Sequence, residues 1–196
     1  VSALVTLAHG SRHPGADVAT LSFQAGAKAV AYLDFSEDTL AAVAKRLQEH
    51  LVVVPLLFSN AFHARFDAPQ AAREAEAFAP ITLARPLGMG QDIIAALPKP
   101  QATPVLFHVG SKRSTEAQAL AQHLGWLEVA ATQGGVAELR ALSRKHPRLH
   151  VIPLFVTDGL LLAQAREADY PGEVIFDQPL GIKLSPIIRA RFEEAV

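Results

Sequence analysis

The chain has 196 residues, 50% of them hydrophobic, with 18 Lys and Arg against 19 Asp and Glu, a length that suits one large or two small domains with a substantial core. The charge balance gives no general case for nucleic acid or an anionic membrane as partner, no apolar run approaches the ~20 residues of a membrane span, and no basic stretch followed by an apolar segment marks a secretory leader. Cysteine is absent, which excludes disulfides, thiolate catalysis and Cys-ligated zinc or iron–sulfur sites, fits a cytoplasmic protein, and leaves His and carboxylates to build any metal site.

Residues 3–8 (ALVTLA) read as a short buried strand, followed by His9-Gly10-Ser11-Arg12 and the turn residues Pro14 and Gly15. Asp17 is placed to cap a helix over 18–29, and 30–33 is a second short strand ending at Asp34. Ser36 is a candidate N-cap for a helix whose apolar stripe is Leu40, Val43, Ala44 and Leu47. Residues 52–58 are apolar without alternation, as expected of a parallel strand covered on both faces. Ser59 and Asn60 end that run, and His63, Arg65, Asp67 and Pro69 follow. A helix over 68–78, a strand over 81–84, the turn Arg85-Pro86-Leu87-Gly88 and a short helix over 91–97 complete a first unit. Pro98 and Pro100 then mark a linker, since prolines in a polar run cannot continue a helix. The pattern restarts with strands over 104–107, 126–131, 150–156 and 174–176, and helices from Ser114 or Thr115 to Leu124 and over 136–145, 160–168 and 186–195.

The two halves repeat each other. LAHGSR at 7–12 matches LFHVGSK at 106–112 if the second copy carries one extra residue; VPLLFS at 54–59 matches IPLFVT at 152–157; RPLG at 85–88 matches QPLG at 178–181. Alternating strands and helices imply parallel sheets with right-handed crossovers. The expectation is two tandem α/β domains, 1–99 and 100–196, each with a four-stranded parallel sheet, facing each other across a cleft.

Ligands of open α/β sheets bind beyond the carboxyl ends of the strands. In the first half His9, Asp34 and His63 each follow such an end. Singly, each has an ordinary explanation as a backbone-bonded loop residue or a helix-approach residue. Together, two imidazoles and a carboxylate make a site for a divalent first-row metal with open positions. The second half pairs His108 with His9, but the same spacing places Leu161 opposite His63, Ala165 opposite Asp67 and Ala131 near Asp34. An active half and a half that forms the opposite wall would produce that asymmetry. Arg12, His13, Arg65, Lys112 and Arg113 near the strand ends suggest an anionic ligand. No G-x-G-x-x-G or Walker A sequence occurs, and Ser11 lacks a G-x-S-x-G elbow, so dinucleotide, P-loop and serine-hydrolase chemistry are unsupported. An unrelated two-lobed ligand binder remains compatible with this pattern.

HGSR at 9–12, VVVPLLFSNAFHARFDAP at 52–69 and YLDFSEDTL at 32–40 resemble motifs of the class II chelatases of the CbiX/SirB type, the sirohydrochlorin cobalto- and ferrochelatases. The duplication resembles their long, two-domain form, which implies tandem chelatase-like (flavodoxin-like) domains with a metal site in 1–99 and a degenerate repeat in 100–196. The resemblance implies a lyase-type enzyme that inserts Co²⁺ or Fe²⁺ into sirohydrochlorin without ATP, in cobalamin or siroheme biosynthesis. Its only cofactor is the substrate metal ion, with Ni²⁺ an in vitro substitute. His9 and His63 would hold the metal and act in catalysis with Asp34. Ser11, Arg12, Ser59, Arg65, His108 and Lys112 would bind the macrocycle and its eight carboxylates. Only neutral imidazole binds metal, so activity should fall below pH ~6.5, the ordinary histidine value. With both lobes in one chain, a monomer is expected. The family usually has Glu where this chain has Asp34, and glycine is common near Asn60-Ala61-Phe62. The alternative is therefore a non-catalytic metal- or tetrapyrrole-binding protein of the same fold.

Overall fold

A computed structural model describes every residue except Phe62. The first half runs β1 (Ala3–Ala8), α1 (Ala19–Gln24), β2 (Ala29–Tyr32), α2 (Leu40–Leu47), β3 (Leu51–Pro55), a π-helical turn (His63–Asp67), α3 (Ala68–Ala75), β4 (Ile81–Leu83) and α4 (Gln91–Ala96). The second runs β5 (Thr103–His108), α5 (Glu116–Leu124), β6 (Leu127–Ala130), α6 (Gly135–Lys145), β7 (Arg148–Pro153), α7 (Leu160–Glu167), β8 (Glu173–Phe176), a 3₁₀ turn (Gly181–Leu184) and α8 (Ser185–Ala195). Each half holds a four-stranded sheet, β2-β1-β3-β4 and β6-β5-β7-β8, with every paired strand parallel. The fold is thus two tandem α/β units, each built on a four-stranded parallel sheet, and no helix among the described residues is long and apolar enough to cross a membrane.

Both faces of the central strands are covered, which is why β1, β3 and β7 read as unbroken apolar runs. Val5, Leu7 and Val53 face α2 and α3, while Val105, Phe107 and Val151 face α6 and α7. Between the sheets lies a shared core in which Leu4, Val52 and Leu56 meet Leu106 and Leu154, with Leu21 of α1, Ile93 of α4, Leu120 of α5 and Ile188 of α8 filling the space. The segment 98–101 therefore joins two sheets that share this inner core, while each keeps an outer core of its own. α8 belongs to the second half in sequence, yet packs on β3. Its Arg191, 1% exposed, donates to the carbonyls of Pro86 at 3.0 Å and Leu87 at 2.7 Å and pairs with Asp92 at 2.8 Å.

Several elements differ from expectation for local reasons. β3 stops at Pro55 rather than running to 58, with Leu56 N–H making a last bond to Leu7 O of β1. α1 is six residues long, since Gly26 adopts φ +91 and turns the chain back toward β2. Its start is as expected: Asp17 Oδ1 accepts from the amides of Ala19 and Thr20. The cap of α2 is Thr39, whose hydroxyl accepts from Ala42 N–H, and not Ser36; Ser36 instead closes a local turn by accepting from Asp38 N–H. The π-helical turn at His63–Asp67 stands where the sequence suggests only a polar loop.

Candidate functional site

The ends of β1 and β2 are stitched together by backbone bonds. Leu33 N–H donates to Ala8 O at 2.9 Å and Asp34 N–H to His9 O at 2.8 Å. Gly10 makes this approach feasible: it sits at φ +102, and a Cβ there would lie 2.0 Å from the Asp34 carbonyl oxygen. β3 exits toward the π-helical turn, which brings His63 against His9, with ring centroids 4.4 Å apart and planes at 84°. Single π turns are uncommon and gather at functional sites.

Partners fix the tautomers. His63 Nδ1 lies 2.5 Å from Asp67 Oδ2. An ionised carboxylate only accepts, so Nδ1 carries a proton, and in the neutral ring Nε2 is then the acceptor nitrogen. His9 Nδ1 lies 3.3 Å from Gly10 O, and a carbonyl also only accepts. Both rings therefore hold the tautomer of metal-ligating histidines, with Nδ1–H bonded to a carboxylate or carbonyl and Nε2 as the ligand atom.

The two histidines form a wall shared by two cavities. A polar one of about 300 Å³ is also lined by Tyr32, Asp34, Asp67 and Glu74. A larger one of about 560 Å³ lies between the halves, with mostly apolar walls that include Leu57, Phe58, Leu154 and Phe155. Tyr32 touches both cavities. Burial raises its hydroxyl above the ordinary tyrosine value, with further upward pushes from Asp38 and Asp17. Asp17 itself is lowered, chiefly by the hydroxyl of Thr20.

Of the residues singled out in the sequence, His9, Asp34 and His63 converge on the polar cavity. Asp34 faces no ready three-ligand cage: its Oδ1 accepts from Phe35 N–H at 2.8 Å, and among the described residues no group of three His, Asp or Glu could hold a metal ion. The expected two-imidazole, one-carboxylate set therefore lines one cavity without closing into such a group. Ser11, Ser59 and His108 line the larger cavity. Arg12, Arg65 and Lys112 line neither; the Arg12 guanidinium sits 5.0 Å over the Phe35 ring. Arg12 and Lys112 lie in the loops after β1 and β5, and Arg65 in the π-helical turn after β3.

The internal repeat also needs a one-residue correction. Leu56 N–H donates to Leu7 O as Leu154 N–H does to Phe107 O, and Asp34 N–H donates to His9 O as Thr132 N–H does to Val109 O. Gly10 and Gly110 share the same left-handed φ. The second copy has no extra residue, so His9 corresponds to Val109, Asp34 to Thr132 and His108 to Ala8. His108 is consequently not the counterpart of His9. Its partner, Glu128 of β6, escaped the sequence reading; an acidic residue inside an apolar strand was the available signal.

The family model for CbiX matches residues 3–100. SirB from Bacillus subtilis, determined with Fe³⁺, is 20% identical with a TM-score of 0.72, covering 98% of this chain and 94% of that one. CbiX, described as the terminal enzyme of siroheme biosynthesis in denitrifying bacteria, is 19% identical with a TM-score of 0.69, covering 99% of each chain. A multi-domain protein of Deinococcus radiodurans with structural similarity to chelatases is 17% identical with a TM-score of 0.62, covering 99% of this chain and 55% of that one. At such identities these likenesses concern the fold. No curated protein sequence matches the chain.

Proposed function

The chain belongs to the CbiX family, and from that premise we propose that it inserts a divalent metal, Co²⁺ or Fe²⁺, into sirohydrochlorin without ATP, serving cobalamin or siroheme biosynthesis in the cytoplasm. The observation that carries this reading is the His9–His63 pair in the wall between a polar cavity and a larger apolar one. A flat macrocycle suits the apolar space, whose volume is that of a small-molecule site. Ser11 and Ser59 would bond its edge, while Arg12 and Lys112 from their loops and Arg65 from the π-helical turn would reach its carboxylates. The Nε2 atoms of His9 and His63 would hold the incoming metal ion, itself a substrate, at the ring face, and Asp34 would favour its positive charge from the polar side. Both walls come from one chain, so a monomer suffices.

A non-catalytic metal- or tetrapyrrole-binding protein is the second reading, favoured by the bond that ties Asp34 Oδ1 to the Phe35 amide. Anaerobic mixing with sirohydrochlorin and Co²⁺ or Fe²⁺, followed by absorption, separates the two. Insertion over many turnovers by wild type, lost in His9→Ala and His63→Ala, is the result expected of the enzyme. A stoichiometric spectral shift without turnover would replace it by the binding protein.

A further inference from the structure

Metal insertion releases two pyrrole protons, and a base must take them while His9 and His63 are occupied with the metal. Among the described residues, the other titratable groups lining the larger cavity are Tyr32, His108 and Asp158. Tyr32 is held protonated by burial. Asp158 is committed to Arg166 at 2.5 Å. His108 remains, and its environment differs from that of an ordinary wall residue. Its Nε2 bonds Glu128 Oε1, with the two side chains only 13% and 22% exposed. Glu128 accepts, so Nε2 carries the proton and Nδ1 is the basic nitrogen. In the first half the two corresponding positions are Ala8 and Val30, both part of the apolar shared core. The halves have therefore diverged in opposite senses, with polar groups at His9 and Asp34 in one and at His108 and Glu128 in the other. A carboxylate hydrogen-bonded to a histidine in a largely apolar wall costs desolvation, and stability alone gives no reason for it.

We propose that His108, backed by Glu128, is the general base that removes the pyrrole protons during metal insertion. This rests on the chelatase reading. In each step a pyrrole N–H bond breaks, the nitrogen keeps the electron pair and donates it to the metal, and the proton moves to His108 Nδ1. The imidazolium is stabilised by the Glu128 carboxylate and releases its proton to water at the cavity mouth before the second N–H reacts.

The test is steady-state Co²⁺ insertion by the full chain in wild type, His108→Ala and Glu128→Gln, alongside Co²⁺ binding by each. In His108→Ala, kcat should fall on the order of 10²-fold, with KM for sirohydrochlorin and Co²⁺ affinity unchanged. Added 2,6-lutidine, a base too crowded to ligate the metal, should restore part of the rate. Glu128→Gln should lower kcat about tenfold, and carries the same test if His108→Ala does not fold. Unchanged kcat in both variants, or a rise in KM alone without rescue, would overturn the proposal and leave His108 a substrate contact. An inactive wild type would bring down the chelatase reading and this inference together, whereas active wild type with an active His108→Ala brings down only the latter.

Discussion

In the proposed site, Asp67 sets which nitrogen of His63 is offered to the metal. The two side chains sit four residues apart in the π-helical turn, and their bond at 2.5 Å locks the ring by its Nδ1 proton. Asp67→Asn keeps the size but removes the charge that holds that tautomer, so Co²⁺ affinity should fall about 10- to 100-fold. Titration of the apo-protein by equilibrium dialysis reads this directly, and unchanged affinity would show that Asp67 has no part in presenting His63. At this scale the sequence was partly legible. His9, Asp34 and His63 stood out because each follows a buried strand, and strand ends of a parallel sheet must converge. The spacing of His63 and Asp67 was visible, but only the helical turn makes it a contact. Direction is what a sequence withholds. Arg12 has the right charge for a carboxylate ligand, yet its guanidinium lies over Phe35, and Asp34 turns one oxygen to a backbone amide.

Elements were legible where periodicity and capping residues agree, and less so where tertiary contacts decide. The strand–helix alternation and both sheets follow from the apolar runs and their turn residues. That α8 returns to the first half does not, because an apolar stripe says that a helix is buried but not against what. Arg191 is the pin of that return, with two carbonyls and Asp92 around one buried guanidinium. Arg191→Ala should cost about 3 kcal/mol by leaving those acceptors without a donor, read as an earlier midpoint in urea; a surface-like change under about 0.5 kcal/mol would contradict it. The start of α1 offers a pH test. The Thr20 hydroxyl and the amides of Thr20 and Ala19 hold Asp17 below the usual aspartate range. A lowered folded-state value means stability that is present above the unfolded value and lost as pH falls through the folded one. Asp17→Asn should therefore melt below wild type at about pH 7, with the gap narrowing below about pH 4. A gap that does not change with pH would remove the charge from the explanation.

In the whole molecule, a duplicated sheet has become two unlike walls. The repeat was evident in the sequence, but its register was off by one at the first strand, because the His in each copy suggested an alignment that the backbone bonds reject. The shared core between the sheets fixes the halves face to face and leaves the larger cavity at the strand ends, with His9 and His63 on one side and His108 on the other. That joint cavity could not be sized from sequence, since it depends on how far apart the shared helices hold the sheets. The proposed function turns on the first half holding the metal through both histidines. X-ray absorption at the cobalt edge of the Co²⁺-loaded protein tests it most directly, in wild type, His9→Ala and His63→Ala. Two imidazole ligands in wild type and one in each variant is the predicted result. A wild-type spectrum without imidazole scattering, or the same imidazole number in all three proteins, would contradict it.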